Sequence, residues 1–176
     1  MLETTIPQFQ DFTIKIYLFK DVKNSKEIRS NVAEYPFAFI NGRTICSLEQ
    51  IMAALYRVLI EKHYNKIRTK SLTSECLLCL APTSNIGEVF KRFGLKDDTR
   101  EIVCVEIIKV NNNTTDHISI ESIVQGTEIE VTDDHLKQFC DKDLIRDIYK
   151  FDPSFQLSSM ADLTRAVVNS IQLRGL

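Results

Sequence analysis

The sequence predicts a single α/β domain, residues 1–176, in which a central β-sheet is covered by α-helices. The chain has 176 residues, 44% of them hydrophobic, which suits one globular domain of roughly 100–200 residues. Segments whose apolar residues have the period of a strand alternate along the chain with segments whose apolar residues have helical spacing. No linker rich in glycine, proline or serine separates them, so we expect one layered unit.

The first half of the chain predicts three strands that alternate with three helices. Ser47 and Gln50 have the spacing of a capping box at the start of the clearest helix. The nearly continuous apolar run at residues 75–80 favours a strand buried on both faces. Ser84 or Asn85 caps the third helix, and Gly94 predicts a left-handed end for it. The strands are expected at residues 12–18, 37–40 and 75–80, and the helices at residues 21–32, 47–62 and 85–93.

The second half begins with the chain's richest β-branched run, residues 102–110, which predicts another strand. A polar loop is expected at residues 111–116, and a helix near residues 116–125 that ends at Gly126. Two short helical pieces are expected between residues 132 and 151. Ser159 and Asp162 start the last helix. Its inner stripe consists of Leu163, Ala166, Val167 and Ile171.

The sequence contains no recognisable catalytic, cofactor or metal motif. No pair of its five glycines fits a dinucleotide fingerprint or a phosphate-binding loop, and its three histidines fall in three different segments. Cys76 and Cys79 form one CxxC pair, but in a strand their side chains would point to opposite faces. The run 133–135, Asp-Asp-His, is typical of a helix cap and a solvated face. We therefore expect a binding or scaffolding protein without a metal or cofactor.

Five cysteines without framework spacing indicate reduced thiols and hence the cytosol or nucleus. No segment is long and apolar enough to cross a membrane, and the first residues lack the apolar stretch of a secretory signal.

Charge is separated along the chain, although the net charge is only −2. Residues 57–70 carry five basic residues against one acidic, whereas residues 116–143 carry eight acidic against two basic. Lys66, Arg68 and Lys70 recur at every second position, close enough to contact neighbouring phosphates of a single strand. Basic residues after a helix also complement its dipole, so both interpretations stay open.

The last helix predicts a second surface. Val168, Leu173 and Leu176 lie outside its inner stripe and, with Met160, predict a partly exposed apolar surface for a protein partner. A wholly buried terminal helix is the alternative.

Nine segments occur in an order and spacing that resemble one family. They are IPQF (6–9), VKNSKEIRS (22–30), FAFI (37–40), YNKIRTKSLTSEC (64–76), CLAPTSNI (79–86), FGLKDD (93–98), GTEIE (126–130), LIRDIYK (144–150) and SIQLRGL (170–176). On these segments the chain resembles the small non-catalytic subunit of the KEOPS/EKC complex, the family of the PRPK-binding protein, particularly its fungal form.

The resemblance implies a single α/β domain without catalytic activity. It implies binding to the N-terminal lobe of the complex's small atypical kinase, which contacts the subunit that transfers threonylcarbamoyl to the adenosine beside the tRNA anticodon. It further implies recruitment of tRNA by its 3′ CCA end, a link to telomere maintenance and transcription, and a place in the nucleus and cytoplasm.

The same resemblance assigns two sets of site residues. The tRNA-binding set is Asn65, Lys66, Arg68, Thr69 and Lys70. The kinase-binding set is Leu163, Val167, Ile171, Leu173 and Arg174.

Two other functions remain open from the sequence. One is a protein–protein interaction module that regulates the kinase with no direct RNA contact, the basic residues serving only the helix dipole. The other is an enzyme with an unrecognised site that uses Cys104 or His135.

Overall fold

One antiparallel sheet organises the molecule. The computed structural model describes residues 1–110 and 118–174. Its elements are β1 (Leu2–Thr5), β2 (Phe12–Lys20), α1 (Ser25–Asn31), β3 (Ala38–Asn41), α2 (Leu48–His63), α3 (Leu72–Leu80), α4 (Ile86–Phe93), β4 (Ile102–Lys109), β5 (Thr127–Ile129), α5 (Asp133–Phe139), α6 (Lys142–Tyr149) and α7 (Met160–Gln172). Single 3₁₀ turns lie at Val32–Glu34, Gly42–Thr44 and Ile120–Ser122.

Strand β2 is the centre of the sheet. The strand order is β1-β2-β4-β3, and β5 pairs with the end of β2 beyond β1. Leu2 lies opposite Ile16 and Ile129 lies opposite Leu18, so β1 and β5 follow one another along the same edge of β2. All of these pairs are antiparallel. The predicted layered α/β architecture is confirmed, with an antiparallel sheet.

The alternation of side chains along β2 divides the core into two parts. Ile14, Ile16 and Leu18 point into the larger cluster, which the helices from α2 to α7 complete. Tyr17 and Phe19 point to the opposite face, where α1 and the segment 120–124 cover them. The sheet is therefore buried on both sides.

The predicted helix starts are largely confirmed. Ser47 caps α2 by accepting a hydrogen bond from the Gln50 main-chain N–H at 3.2 Å. In a complete capping box the Gln50 side chain would also accept from the Ser47 N–H. This part of the prediction is wrong, because the Gln50 side chain accepts from the Cys46 N–H instead, at 2.8 Å. Ser159 and Asp162 do form a complete capping box at α7.

The strand predicted at residues 75–80 is wrong, because this run lies in α3, Leu72–Leu80. Ser71 caps the helix by accepting from the Ser74 N–H at 3.1 Å. The apolar run is continuous because every residue from Glu75 to Leu80 is buried. A short helix buried all round has no amphipathic period, so its pattern cannot be distinguished from that of a buried strand.

Two further predictions need correction. In place of a helix at residues 116–125, the described part holds the 3₁₀ turn Ile120–Ser122, and the unpredicted strand β5 follows it. Residues 111–117, with the predicted loop, lie outside the described residues. Gly94 has φ −70° and is not left-handed. A glycine is needed there because a Cβ would lie 2.3 Å from the Phe90 carbonyl oxygen.

Within the described residues, no helix has both the length and the apolarity needed to cross a membrane.

Gly94 and Gly87 provide a matched test of the close approach between Gly94 and the Phe90 carbonyl. Gly94→Ala is expected to lower the free energy of unfolding by about 1–3 kcal/mol, because backbone must shift to admit the methyl group. Gly87→Ala is the control, since its Cβ would meet only the Asn85 side chain at 3.6 Å within α4. That change should be neutral or stabilise by up to about 1 kcal/mol. Urea unfolding measures both, and equal effects would contradict the packing described for Gly94.

Candidate functional site

The cysteine pair lies on one face of α3 and not on opposite faces of a strand. Cys76 and Cys79 are one helical turn apart and completely buried. Burial raises the pKa of the Cys79 thiol to about 12, so it is protonated at neutral pH and is a poor metal ligand or nucleophile. Among the described residues no three histidine, cysteine or acidic side chains are grouped so that they could hold a metal ion.

The sequence left open an enzyme site that uses Cys104 or His135. The structure gives each of these side chains a place in the fold, one in a buried strand and one at a helix start. Cys104 is fully buried in β4, and burial raises the pKa of its thiol well above the ordinary value. The Nδ1 atom of His135 lies 2.7 Å from the Glu130 carbonyl oxygen, within hydrogen-bond distance, near the start of α5. Thr132 caps α5 by accepting from the His135 N–H at 3.2 Å. Residues 132–135 therefore form a helix start, as the sequence predicted.

The basic stretch begins where α2 ends. Asn65 has φ 58°, in the left-handed region that asparagine tolerates better than most residues. The Lys66 N–H donates to the Glu61 carbonyl at 2.7 Å, and the Asn65 N–H donates to the Lys62 carbonyl at 3.1 Å. These bonds form a Schellman motif, which satisfies the last carbonyls of the helix and turns the chain away from its axis.

A buried carboxylate holds the residues that follow. Glu75, in the first turn of α3, is completely buried. Its Oε2 accepts from the Arg68 N–H at 3.1 Å, the Thr69 N–H at 2.9 Å and the Thr69 hydroxyl at 2.7 Å. Its Oε1 is also buried and has no hydrogen-bond partner among the described residues. The loop from α2 to α3 is thus anchored by its main chain.

We call residues 65–70 the basic turn; it contains the whole predicted tRNA-binding set. Asn65, Lys66, Arg68 and Lys70 are exposed, whereas Thr69 is half-buried and its hydroxyl faces Glu75. Within the described residues none of the three cations forms an ion pair. The structure therefore brings four of the predicted residues to the surface, and Thr69 supports them from below.

A small polar recess of about 340 Å³ lies beside the basic turn. Asn65, Lys70 and Lys62 line it, so it joins the turn to the last turn of α2. Tyr64 is 64% exposed, and its ring meets that of His63 edge-on at 5.0 Å between centroids. An exposed aromatic ring among cations can stack a nucleobase. Lys62 and Tyr64 were outside the predicted set, although the interleaving of an aromatic with basic residues was the signal for them.

The predicted kinase-binding set divides into buried and exposed residues. Leu163, Val167 and Ile171 are at most 2% exposed and belong to the main core. Leu173 is 60% exposed. The first three can therefore shape a partner surface only from beneath, and Leu173 is the member of the set that a partner can touch directly.

Two arginines fix the end of α7 and the residues after it as far as Arg174. The guanidinium of Arg57, on α2, donates to the carbonyls of Ile171 and Gln172 at 3.0 Å and of Arg174 at 2.7 Å. It therefore satisfies carbonyls at the C-terminus of α7 and complements the helix dipole. Arg174 is itself buried, and its Nη1 donates to the carbonyls of Leu78 and Ala81 near the end of α3.

An apolar groove of about 340 Å³ lies between α2, α7 and the segment after β1. We call it the α2–α7 groove. It contains Val168, which the sequence placed on the partner surface. Its other lining residues are Thr5, Ile6, Pro7, Glu49, Met52, Ala53, Tyr56 and Gln172. Of the four residues predicted for the apolar surface, Leu173 is exposed, Val168 lines the groove and Met160 packs against the core. Leu176 lies outside the described residues.

Comparisons with known proteins agree with the resemblance seen in the sequence. The family model described as "Kinase binding protein CGI-121" matches residues 19–175. The chain is 46% identical over 172 residues to the EKC/KEOPS complex subunit CGI121 of Candida glabrata, an alignment that covers 97% of this chain and 98% of the relative. It is 43% identical over 180 residues to the protein of that name from Eremothecium gossypii, with 100% of both chains covered. It is 35% identical over 172 residues to the EKC/KEOPS complex subunit TPRKB of Danio rerio, with 96% and 94% covered.

The anchoring role of Glu75 gives a prediction for the turn itself. Glu75→Ala is expected to lower the free energy of unfolding by about 2–4 kcal/mol, because the donors of Arg68 and Thr69 are left without their shared acceptor. Amide hydrogen exchange at these two residues should become faster. Glu88→Ala, in the first turn of α4, is the matched control. A Glu75 variant with the stability and exchange of the Glu88 variant would disprove the anchor.

Proposed function

The chain belongs to the CGI-121 family of kinase-binding proteins, and from this we propose that it is a non-catalytic subunit of an EKC/KEOPS complex. In this proposal it binds the complex's small atypical kinase through α7 and helps to recruit tRNA through the basic turn. It thereby supports threonylcarbamoyladenosine modification beside the anticodon. The proposal extends to the nucleus and cytoplasm as its location, and to telomere maintenance and transcription through the complex.

The observation that carries the tRNA part of the proposal is the outward direction of the cations in the basic turn. The Glu75 carboxylate accepts from main-chain and hydroxyl donors, so Lys66, Arg68 and Lys70 are not used to neutralise it. Unpaired exposed cations on a fixed backbone can contact phosphates without first breaking internal ion pairs. The spacing at every second residue suits successive phosphates of a single strand.

The surroundings of the basic turn also favour a single strand. The recess lined by Lys62, Asn65 and Lys70 offers both cations and an amide, and it is too small for a duplex. Tyr64, the residue before Asn65, supplies an exposed ring on which a base can stack. These features match the free 3′ end of tRNA, where bases are unpaired.

The kinase part of the proposal depends on the α2–α7 groove and Leu173. The groove has a mainly apolar lining, which includes Pro7, Met52 and Val168. Leu173 is exposed and directly follows the groove residue Gln172 in the chain. Met52 and Val168 are partly accessible and Leu173 is exposed, and accessible apolar side chains in one region are typical of a partner interface. Met52 and Lys62 are ten residues apart on α2, about 15 Å along the helix, so one helix can support both proposed contacts at once.

The second candidate, an interaction module without RNA contact, is favoured by one observation. Lys62 and His63 lie in the last turn of α2, where cations stabilise a helix without any ligand. Lys66 and Arg68 both follow the end of this helix, and the next prediction separates the two functions there.

Reversing two charges tests the basic turn. Lys66→Glu combined with Arg68→Glu is expected to weaken tRNA binding roughly tenfold or more at low salt and to leave kinase binding unchanged. The slope of log affinity against log salt should fall by roughly 0.7 for each single-strand phosphate that the variant no longer neutralises. Filter binding over a salt series measures both quantities.

The matched control reverses two exposed lysines elsewhere, Lys137→Glu with Lys142→Glu, on α5 and α6. The net charge of the two double variants is then the same. Equal effects on tRNA affinity, or an unchanged slope in the basic-turn variant, would favour the module without RNA contact.

Leu173→Arg tests the kinase surface. Because Leu173 is 60% exposed, the change should leave the fold intact, whereas burying a charge in an apolar interface should weaken kinase binding by at least about tenfold. Co-purification and calorimetry with the complex's kinase measure the effect. Val110→Arg is the control, at a site 56% exposed just after β4. Wild-type kinase affinity in the Leu173 variant would exclude this residue from the interface.

A further inference from the structure

A cavity of about 610 Å³ opens between α1, β3, α3 and α4. Its lining shares no residue with the recess beside the basic turn or with the α2–α7 groove. The proposed function leaves this cavity unused. Its volume is within the range of sites that hold drug-sized ligands, about 300–1,000 Å³.

The interior of the cavity is mainly apolar, and its deepest lining side chains are buried. Phe37, Phe39 and Leu77 line it and are at most 4% exposed. Val32 and Phe90 line the cavity as well, and each is 38% exposed. Large side chains that remain exposed around a buried apolar base form an entrance, and a bound apolar group would remove them from water.

The charged groups of the lining have one sign. Arg29, Lys91 and Lys96 line the cavity, and no acidic side chain does so among the described residues. Arg29 pairs with Asp97, which is outside the lining, at 2.8 Å. Within the described part of the chain Lys91 and Lys96 form no ion pair. Two cations are therefore available to an anionic group held in the cavity.

We propose that this cavity binds a small amphiphilic anion, with an apolar body roughly the size of a ten-carbon chain and one carboxylate. The body fills the space over Phe37, Phe39 and Leu77, and the carboxylate meets Lys91 and Lys96. The three buried side chains give an aliphatic chain an apolar surface to pack on, and the two unpaired lysines favour an anionic head group over a neutral or cationic one. The inference is independent of tRNA and kinase binding.

Decanoate is the probe, titrated into the full chain and followed by calorimetry and by amide chemical shifts. We expect saturable binding of one decanoate, with the largest shifts in α1, β3, α3 and α4. Decanol should bind more weakly because it lacks the charge, and decylammonium should bind most weakly because it repels the lysines. Absence of saturable binding, shifts centred elsewhere, or decylammonium binding as tightly as decanoate would overturn the proposal.

Two variants test the site itself. Ala33→Trp places a large ring at an exposed lining position and should reduce decanoate affinity at least tenfold. Lys91→Glu with Lys96→Glu should reduce it roughly fivefold or more, and should remove the preference over decylammonium. Both changes are at surface or lining positions, and thermal unfolding verifies that the variants are folded.

The controls are Ala161→Trp, at an exposed alanine of α7, and the double variant Lys137→Glu with Lys142→Glu. Each should bind decanoate like the unmodified chain. If the cavity variants bind as well as these controls, the ligand is not in the cavity and the proposal is wrong. Transfer RNA affinity measured in parallel shows whether the cavity variants leave the basic turn intact.

Discussion

The exposure of the three cations in the basic turn depends on one buried carboxylate and on the groups that donate hydrogen bonds to it. Glu75 is buried in α3, and burial of a charged or polar group is unfavourable unless hydrogen bonds compensate. The compensation comes from main-chain N–H groups of Arg68 and Thr69 and from the Thr69 hydroxyl. Because the backbone supplies these donors, the side chains of Lys66, Arg68 and Lys70 remain free of an internal role. A salt bridge to the same carboxylate would have turned one of them inward and removed it from the surface.

At the end of α7 the roles are reversed. Cationic side chains donate hydrogen bonds to main-chain carbonyls, whereas at the basic turn main-chain N–H groups donate to an acidic side chain. Its last carbonyls are satisfied by the Arg57 guanidinium of α2, and the chain beyond it is fixed where Arg174 donates to carbonyls near the end of α3. Both arginines are used for the main chain, so the end of α7 has a defined position. This fixed position exposes Leu173 while Leu163, Val167 and Ile171 stay in the core. Helix α2 is common to both surfaces, because it provides Arg57 for one and ends in the Schellman motif of the other.

The sequence predicted the elements whose signals are local. Ser47 and Ser159 cap the helices that they were expected to start, and of the two candidates Ser84 and Asn85 it is Asn85 that caps α4. The β2 alternation appears as two core clusters. The sequence-based predictions failed for elements whose conformation is decided by tertiary packing. The run before Pro82 is apolar on all sides because it is surrounded, so helix and strand could not be told apart. Strand β5 has three residues and exists only by pairing with the end of β2. For the site, the family resemblance located the basic turn, but which of its side chains face outward depends on Glu75, seven residues after Arg68.

We propose that single-stranded tRNA contacts the turn that Glu75 holds in place. Crosslinking the full chain to tRNA with a photoreactive nucleotide near its 3′ end, followed by mass spectrometry of the crosslinked peptides, tests this most directly. We expect crosslinks concentrated in residues 62–70. Crosslinks concentrated at α5 and α6, or spread evenly over the surface, would show that the 3′ end does not bind at this turn.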